Sequence, residues 1–226
     1  MDKKNKIKTL LSLAINGSIF ISTVIIAYLG IIYGASAGQV GTDVRGLGYF
    51  KAFTMDSNII CACFAGIVAV CNICSLIKNK VIFPHAVSVL QFVGTVLVSL
   101  TLLVVLSFLV PSWIILGKNP MILLSTGDLF FFHLLNPILA IISFVFLSPK
   151  HRLAYSGIWY SLVPIALYAA VYASMIFVFK AWEDFYGFTF GGHLWMGGIA
   201  VIILHLIAAI IGYFLIKSHN HFVGKH

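Results

Sequence analysis

The sequence predicts an all-α integral membrane protein: a single domain over residues 1–226 with six transmembrane helices and both termini in the cytoplasm. Three observations carry that expectation. Apolar residues make up 61% of the chain and charged residues only 9%, too few charges to cover a water-soluble globule. The apolar residues gather in six stretches, each long enough to cross roughly 30 Å of hydrocarbon as a helix rising about 1.5 Å per residue. The basic residues, finally, are divided unequally between the joints.

The first stretch, about 9–33, follows Lys3, Lys4, Lys6 and Lys8. With Ala35-Ser36-Ala37 behind it this start resembles a signal peptide, but the apolar run is about twice the usual length, so it is expected to remain as a helix. The second, about 50–77, carries all four cysteines, Cys61, Cys63, Cys71 and Cys74. With no further ligands nearby they read as small apolar filler, and no metal or other cofactor is expected. The third, about 87–110, lies between Pro84 and Pro111, and the fourth, about 129–147, between Asp128 and Pro149. The fifth, about 157–179, and the sixth, about 193–216, flank a joint that ends in Gly187 to Gly192. None shows the alternating pattern of a membrane barrel, so helices alone can satisfy the backbone in lipid.

Orientation follows from the cations. Ten of the fourteen, Lys3, Lys4, Lys6, Lys8, Lys78, Lys80, Lys150, Arg152, Lys217 and Lys225, fall on one side of this topology, and Arg45, Lys51, Lys118 and Lys180 on the other. Positive loops stay inside, which places both termini in the cytoplasm of a cell-membrane protein. Asp43, Asp56, Asp128, Glu183 and Asp184 then lie at the outer side, with Trp113, Trp182 and Trp195 near that boundary. Because the net charge of +8 resides in tracts flanking apolar segments, lipid and topology account for it, and no nucleic-acid partner is expected.

Polar groups at membrane depth are costly and mark candidate sites. Thr54 and His133 each lie about four residues past an outer helix start, hence roughly 6 Å below the boundary. A hydroxyl and an imidazole at one depth are the minimum for nucleophilic acyl transfer, the neutral histidine taking the hydroxyl proton as the oxygen attacks an ester carbonyl. Ser57 and Asn58 share the helix face of Thr54, and Asn58 could donate to an oxyanion, whereas Asp56 is rotated by about 200°. Asn136 lies on the face of His133. Asp128 lies about 140° away and can orient the imidazole only if it precedes the regular turn. The alternatives are structural. Thr54 could bond a preceding carbonyl, Asp128 could cap its helix, and Asp56 could pair with Arg45 or Lys51. His193 and the Glu183–Asp184 pair read as site rim or solvated loop, and the histidines from His219 to His226 as a solvated tail. Asn16, Tyr168 and Tyr172 are accounted for by interhelical hydrogen bonds.

The run Gly48-Tyr49-Phe50-Lys51-Ala52-Phe53-Thr54, His133 followed by Pro137, and the later Trp182-Glu183-Asp184-Phe185-Tyr186-Gly187-Phe188 resemble the androgen-induced protein family of multi-pass membrane hydrolases. The resemblance implies hydrolysis of fatty acid esters of hydroxy fatty acids, with Thr54 as nucleophile and His133 as its catalytic partner. The expectation is therefore a carboxylic ester hydrolase, a threonine hydrolase acting on long-chain lipid esters taken from the membrane. Two rivals stand beside it. A transporter of small molecules or lipids would show apolar segments broken at the midplane and repeated halves. A non-catalytic scaffold would use the same polar groups only as interhelical glue.

Overall fold

The computed structural model describes residues 1–34, 46–149 and 151–223. Asp43, Arg45, Lys150, Lys225, His226 and Ala35-Ser36-Ala37, on which parts of the orientation, tail and leader readings rest, lie outside the described residues. Six helices are long and apolar enough to cross a membrane: α1 (Lys3–Tyr33), α2 (Phe53–Ile77), α3 (His85–Ile115), α4 (Gly127–Leu147), α5 (Tyr155–Val178) and α6 (Leu194–Phe222). The described residues contain no strand.

Helix ends differ from expectation where capping or packing overrides hydropathy. α1 starts at Lys3 because the Asp2 carboxylate accepts the Asn5 N–H at 2.7 Å, a standard N-cap. α3 does not stop before Pro111. It runs through to Ile115 by way of a π-helical turn at Val105–Leu109, with the Val110 N–H bonded to the Val105 carbonyl. The same arrangement recurs before Pro137, with Asn136 N–H on Phe131 O, and before Pro149, with Ser148 N–H on Ser143 O. A proline lacks the N–H of a regular turn, and its ring collides with the carbonyl four residues back. A wide turn just before it moves that carbonyl aside and lets the chain continue helical.

α3 lies at the centre, packed on α2, α4, α5 and α6, while α1 packs on α2 and α4. The main core joins Phe92, Val96 and Leu97 of α3 to Phe144 of α4, Ile165 of α5 and Ile216 of α6. Outward faces carry exposed Val70, Leu167 and Phe214, as lipid contact requires. The inward faces are more polar than a soluble core: Ser12, Asn16 and Thr23 of α1, Asn58 and Asn72 of α2, Thr95 of α3, and Asn136 and Ser143 of α4 are all buried. Asn16 makes the expected interhelical bond, its amide donating to Ser143 Oγ at 2.6 Å.

Met1 and the end of α6 share one end of the bundle with the α2–α3 and α4–α5 joints. The Met1 ammonium donates to the Asn79 carbonyl at 2.7 Å, and the His151 ring meets the Phe83 carbonyl at 2.9 Å. His219, expected in a solvated tail, is fully buried instead, because α6 continues well past residue 216. Its Nδ1 faces the Phe144 carbonyl and its Nε2 the His151 carbonyl, each at 3.0 Å, and the ring stacks on Phe144 with centroids 4.7 Å apart. Carbonyls only accept, so the ring is the donor to them, and its neutral form serves one of the two at a time. Asn220 beside it exchanges two bonds with the Leu153 backbone, at 2.9 and 2.8 Å. The His219→Leu variant should lose about 1–3 kcal/mol of stability per carbonyl left bare. A drop in the thermal midpoint of the detergent-extracted protein checks this, and an unchanged midpoint would contradict it.

Candidate active site

The opposite end of the bundle gathers the groups expected to carry chemistry. α2 begins at Phe53, after a 3-10 turn over Gly46–Lys51, so Thr54 is the second residue of its helix and not the fifth. His133 lies within the wide turn Phe131–Leu135 of α4. Unequal counts from the helix starts do not separate them, because one side chain ties the two backbones together. The Asn58 amide donates to the Thr54 carbonyl at 2.8 Å and to the Phe132 carbonyl at 3.2 Å.

The His133 side chain is buried, and its Nδ1 stands 2.8 Å from the Leu123 carbonyl. A carbonyl can only accept, so Nδ1 carries the proton and the neutral ring presents a free lone pair at Nε2. That tautomer can act as a base. Thr54 is half-buried, and its hydroxyl makes no hydrogen bond with a described residue. The structural alternative, a bond to a preceding carbonyl, is therefore not adopted, and neither is a direct bond to His133.

The supporting residues fall differently from expectation. Both protons of the Asn58 amide are engaged by backbone carbonyls and its Oδ1 accepts from Asn136 at 3.2 Å, so Asn58 holds the site together and has no proton left for an oxyanion. Ser57 is paired with the Thr101 hydroxyl at 3.0 Å, fixing α2 to α3. Asn136 does not orient the imidazole. It donates to Thr23 Oγ1 at 3.0 Å and to Asn58, because the wide turn directs it towards α1 and α2. The partner that does orient the ring, the Leu123 carbonyl, has no side-chain signature for sequence reading to find.

Asp128 neither caps the helix nor bonds the imidazole. Thr126 holds the N-cap position, the Asp128 Oδ1 accepts only the N–H of its neighbour Leu129 at 3.1 Å, and its buried Oδ2 has no partner among the described residues. The carboxylate lies within electrostatic reach of the His133 ring. A regular helix would set residues five apart well out of line, and the wide turn brings them closer together in angle. Tyr49 completes this end: its ring is fully buried between Met55 and Phe132, the neighbours of Thr54 and His133. A methyl at Gly30 would overlap that ring, so α1 can pass here only as glycine. Burial, and behind it the charge of Asp128, push the Tyr49 phenol well above its ordinary value.

The aromatic loop after α5 is structured. Tyr186 accepts the Phe53 N–H at 3.0 Å, satisfying one of the open donors at the start of α2. Burial pushes the Tyr186 phenol up to about 12. Asp184 accepts from Tyr172 OH and Phe188 N at 2.9 Å and from Thr189 N at 2.6 Å, so it is a staple and not a solvated charge. Tyr168 donates to the Lys51 carbonyl at 2.6 Å. Asp56 forms no ion pair with Lys51; its charge is within electrostatic reach of Tyr168 and Tyr186, and the Lys51 ammonium lies 6.0 Å over the Trp182 ring. His193 and Glu183 are exposed.

Comparison with known protein families, curated proteins and solved structures finds no match to this chain.

Burial of Asp184 acts to raise its carboxyl, but the hydrogen bonds from Thr189, Tyr172 and Phe188 prevail and hold it below the ordinary 3.8. The stabilisation it brings is complete above that value and is lost as pH falls through the lowered one. The loop should thus stay closed from neutral pH down to about 4 and open below, whereas Asp184→Asn should open it at neutral pH. Fluorescence of Trp182, isolated by replacing the other tryptophans, checks both; a loop equally closed in the Asn variant would remove Asp184 from this role.

Proposed function

We propose that the chain is an intramembrane lipid ester hydrolase of the cell membrane, with Thr54 as nucleophile and His133 as base and then acid. The observation that carries this reading is the hydrogen bond from His133 Nδ1 to the Leu123 carbonyl, which leaves Nε2 as acceptor, together with a Thr54 hydroxyl that no described residue bonds. Proton transfer by a positioned imidazole contributes about 10²–10⁴-fold. Attack by the threonine oxygen splits ester hydrolysis into acylation and deacylation. The substrate class, long-chain esters such as fatty acid esters of hydroxy fatty acids, follows from the apolar surroundings and from the resemblance to the androgen-induced proteins. Backbone N–H groups are left as oxyanion donors in this scheme, Asn58 being fully engaged.

Thr54→Ala and His133→Ala should each lower hydrolysis of a long-chain ester at least about 10²-fold in a protein that still extracts folded. The double variant should be hardly worse than either, since groups sharing one proton transfer lose their effect together. Asp56→Asn, directed at the aromatic loop, should retain more activity, and Thr54→Ser should retain some. Multiplying effects, or full turnover by folded Thr54→Ala, would return the polar cluster to a purely structural role.

The orientation proposed with this function puts the Thr54–His133 end at the outer leaflet and both termini in the cytoplasm. In a background without the four native cysteines, Asn119→Cys should react with an impermeant thiol reagent in intact cells and Asn79→Cys only after permeabilisation. The reverse pattern would place the site at the cytoplasmic leaflet.

A further inference from the structure

The buried polar groups form two clusters separated by one helical turn. One is the Asn58, Asn136 and Thr23 group of the candidate site. The other, nearer the termini, joins Asn16 and Gln91 to Ser143 Oγ, at 2.6 and 3.0 Å, and Asn72 to Ser12 Oγ at 2.9 Å. Between them lies a cavity bordered by Ile19, Cys61 and Ala140, which follow or precede the first cluster by three or four residues, and by Asn16, Gln91 and Thr95 of the second.

The chemistry of its wall is one-sided. Asn16 and Gln91 both turn their NH₂ groups to Ser143, so their carbonyl oxygens are left over. Gln91 Oε1 is buried with no partner on a side chain only 5% exposed, and Asn16 Oδ1 accepts from no described residue. Thr95 donates its proton to the Gln91 carbonyl at 2.8 Å, which leaves lone pairs on its oxygen. Three acceptors face one weak donor, the Cys61 thiol. Buried acceptors in native proteins are satisfied, by protein or by ordered water.

The occupant must therefore donate more than one hydrogen bond and fit a space of about 10 Å³ for the centre of a water-sized sphere, which is room for one water. A metal cation fits less well. No carboxylate borders the cavity, and an ion at this depth would exchange its hydration shell for neutral oxygens alone. Turning the Gln91 amide over would expose a donor as well as acceptors, which suits water equally and repels a cation.

We propose that this cavity is a binding site for a single internal water molecule, which donates to Gln91 Oε1 and Asn16 Oδ1 and accepts from the Cys61 thiol. The water links α1, α2 and α3 at mid-bundle and fills the level between the two polar clusters. The assignment is independent of whether the chain is a hydrolase.

X-ray radiolysis of the full-length protein in lipid nanodiscs, in ¹⁸O-labelled water, tests it, because radicals born from an ordered internal water oxidise the side chains beside it. Cys61 should take up ¹⁸O at a rate within a few-fold of exposed Met121, and well above lipid-facing Cys63. Gln91→Leu, which removes an acceptor, and Ala140→Val, which fills the cavity, should each lower Cys61 labelling at least five-fold and leave Met121 unchanged. Should Gln91→Leu fail to fold, Ala140→Val carries the comparison. Cys61 labelling no faster than Cys63 would show a dry cavity, and labelling that rises when sodium is exchanged for choline would show an ion in its place; either overturns the proposal.

Discussion

Everything at the Thr54–His133 end depends on the side chain of Asn58. Its amide reaches the carbonyls of Thr54 and Phe132, and its oxygen receives Asn136, which in turn bonds Thr23. Three helices thus converge on one amide, far from water, where no solvent molecule from outside can replace a lost partner. Lipid supplies no hydrophobic drive for helix association, so such bonds and close packing set the geometry. Thr54 and His133 are placed by this framework and not by any contact with each other.

Wide turns are the second device. Proline breaks a soluble helix, but in lipid a broken helix exposes backbone groups that nothing outside can satisfy. Here the turn preceding Pro111 and Pro137 opens by one residue and the helical path is kept, whereas the same turn before Pro149 closes α4. At Pro137 that accommodation falls on His133 itself, while Asn136 beside it bonds Thr23 and Asn58 and not the ring. π-helical turns inside α-helices are rare and concentrate at functional sites.

Six helices long and apolar enough to span a membrane were legible in the sequence because a 20-residue apolar run in a poorly charged chain has few other destinies. Their ends were less so. Lys217 reads as the end of α6, yet its stem lies along the helix with its ammonium 5.8 Å over the Tyr213 ring, and the helix continues to bury His219. A helical wheel sets Asp56 away from the face of Thr54. It also grouped Asn58 and Asn136 with Thr54 and His133, but a wheel gives the face and not the partner, and the partners turned out to be carbonyls and each other. The orienting carbonyl of Leu123 leaves no trace in residue identity, since every residue carries the same group.

The turn at Phe131–Leu135 also has a bearing on how chains of this kind can change in length. It holds one residue more than a regular turn needs. Loss of a single codon there would restore a regular turn and keep the apolar span, while setting Pro137 against the carbonyl four residues back. The flanking residues would keep their faces, because a wide turn absorbs its extra residue, and the change of direction would fall on the residues in and beside the turn. His133 and Asn136 could then no longer face their present neighbours together. Length in this segment is accordingly a sharper marker of shared chemistry among related chains than the identity of the apolar residues around it.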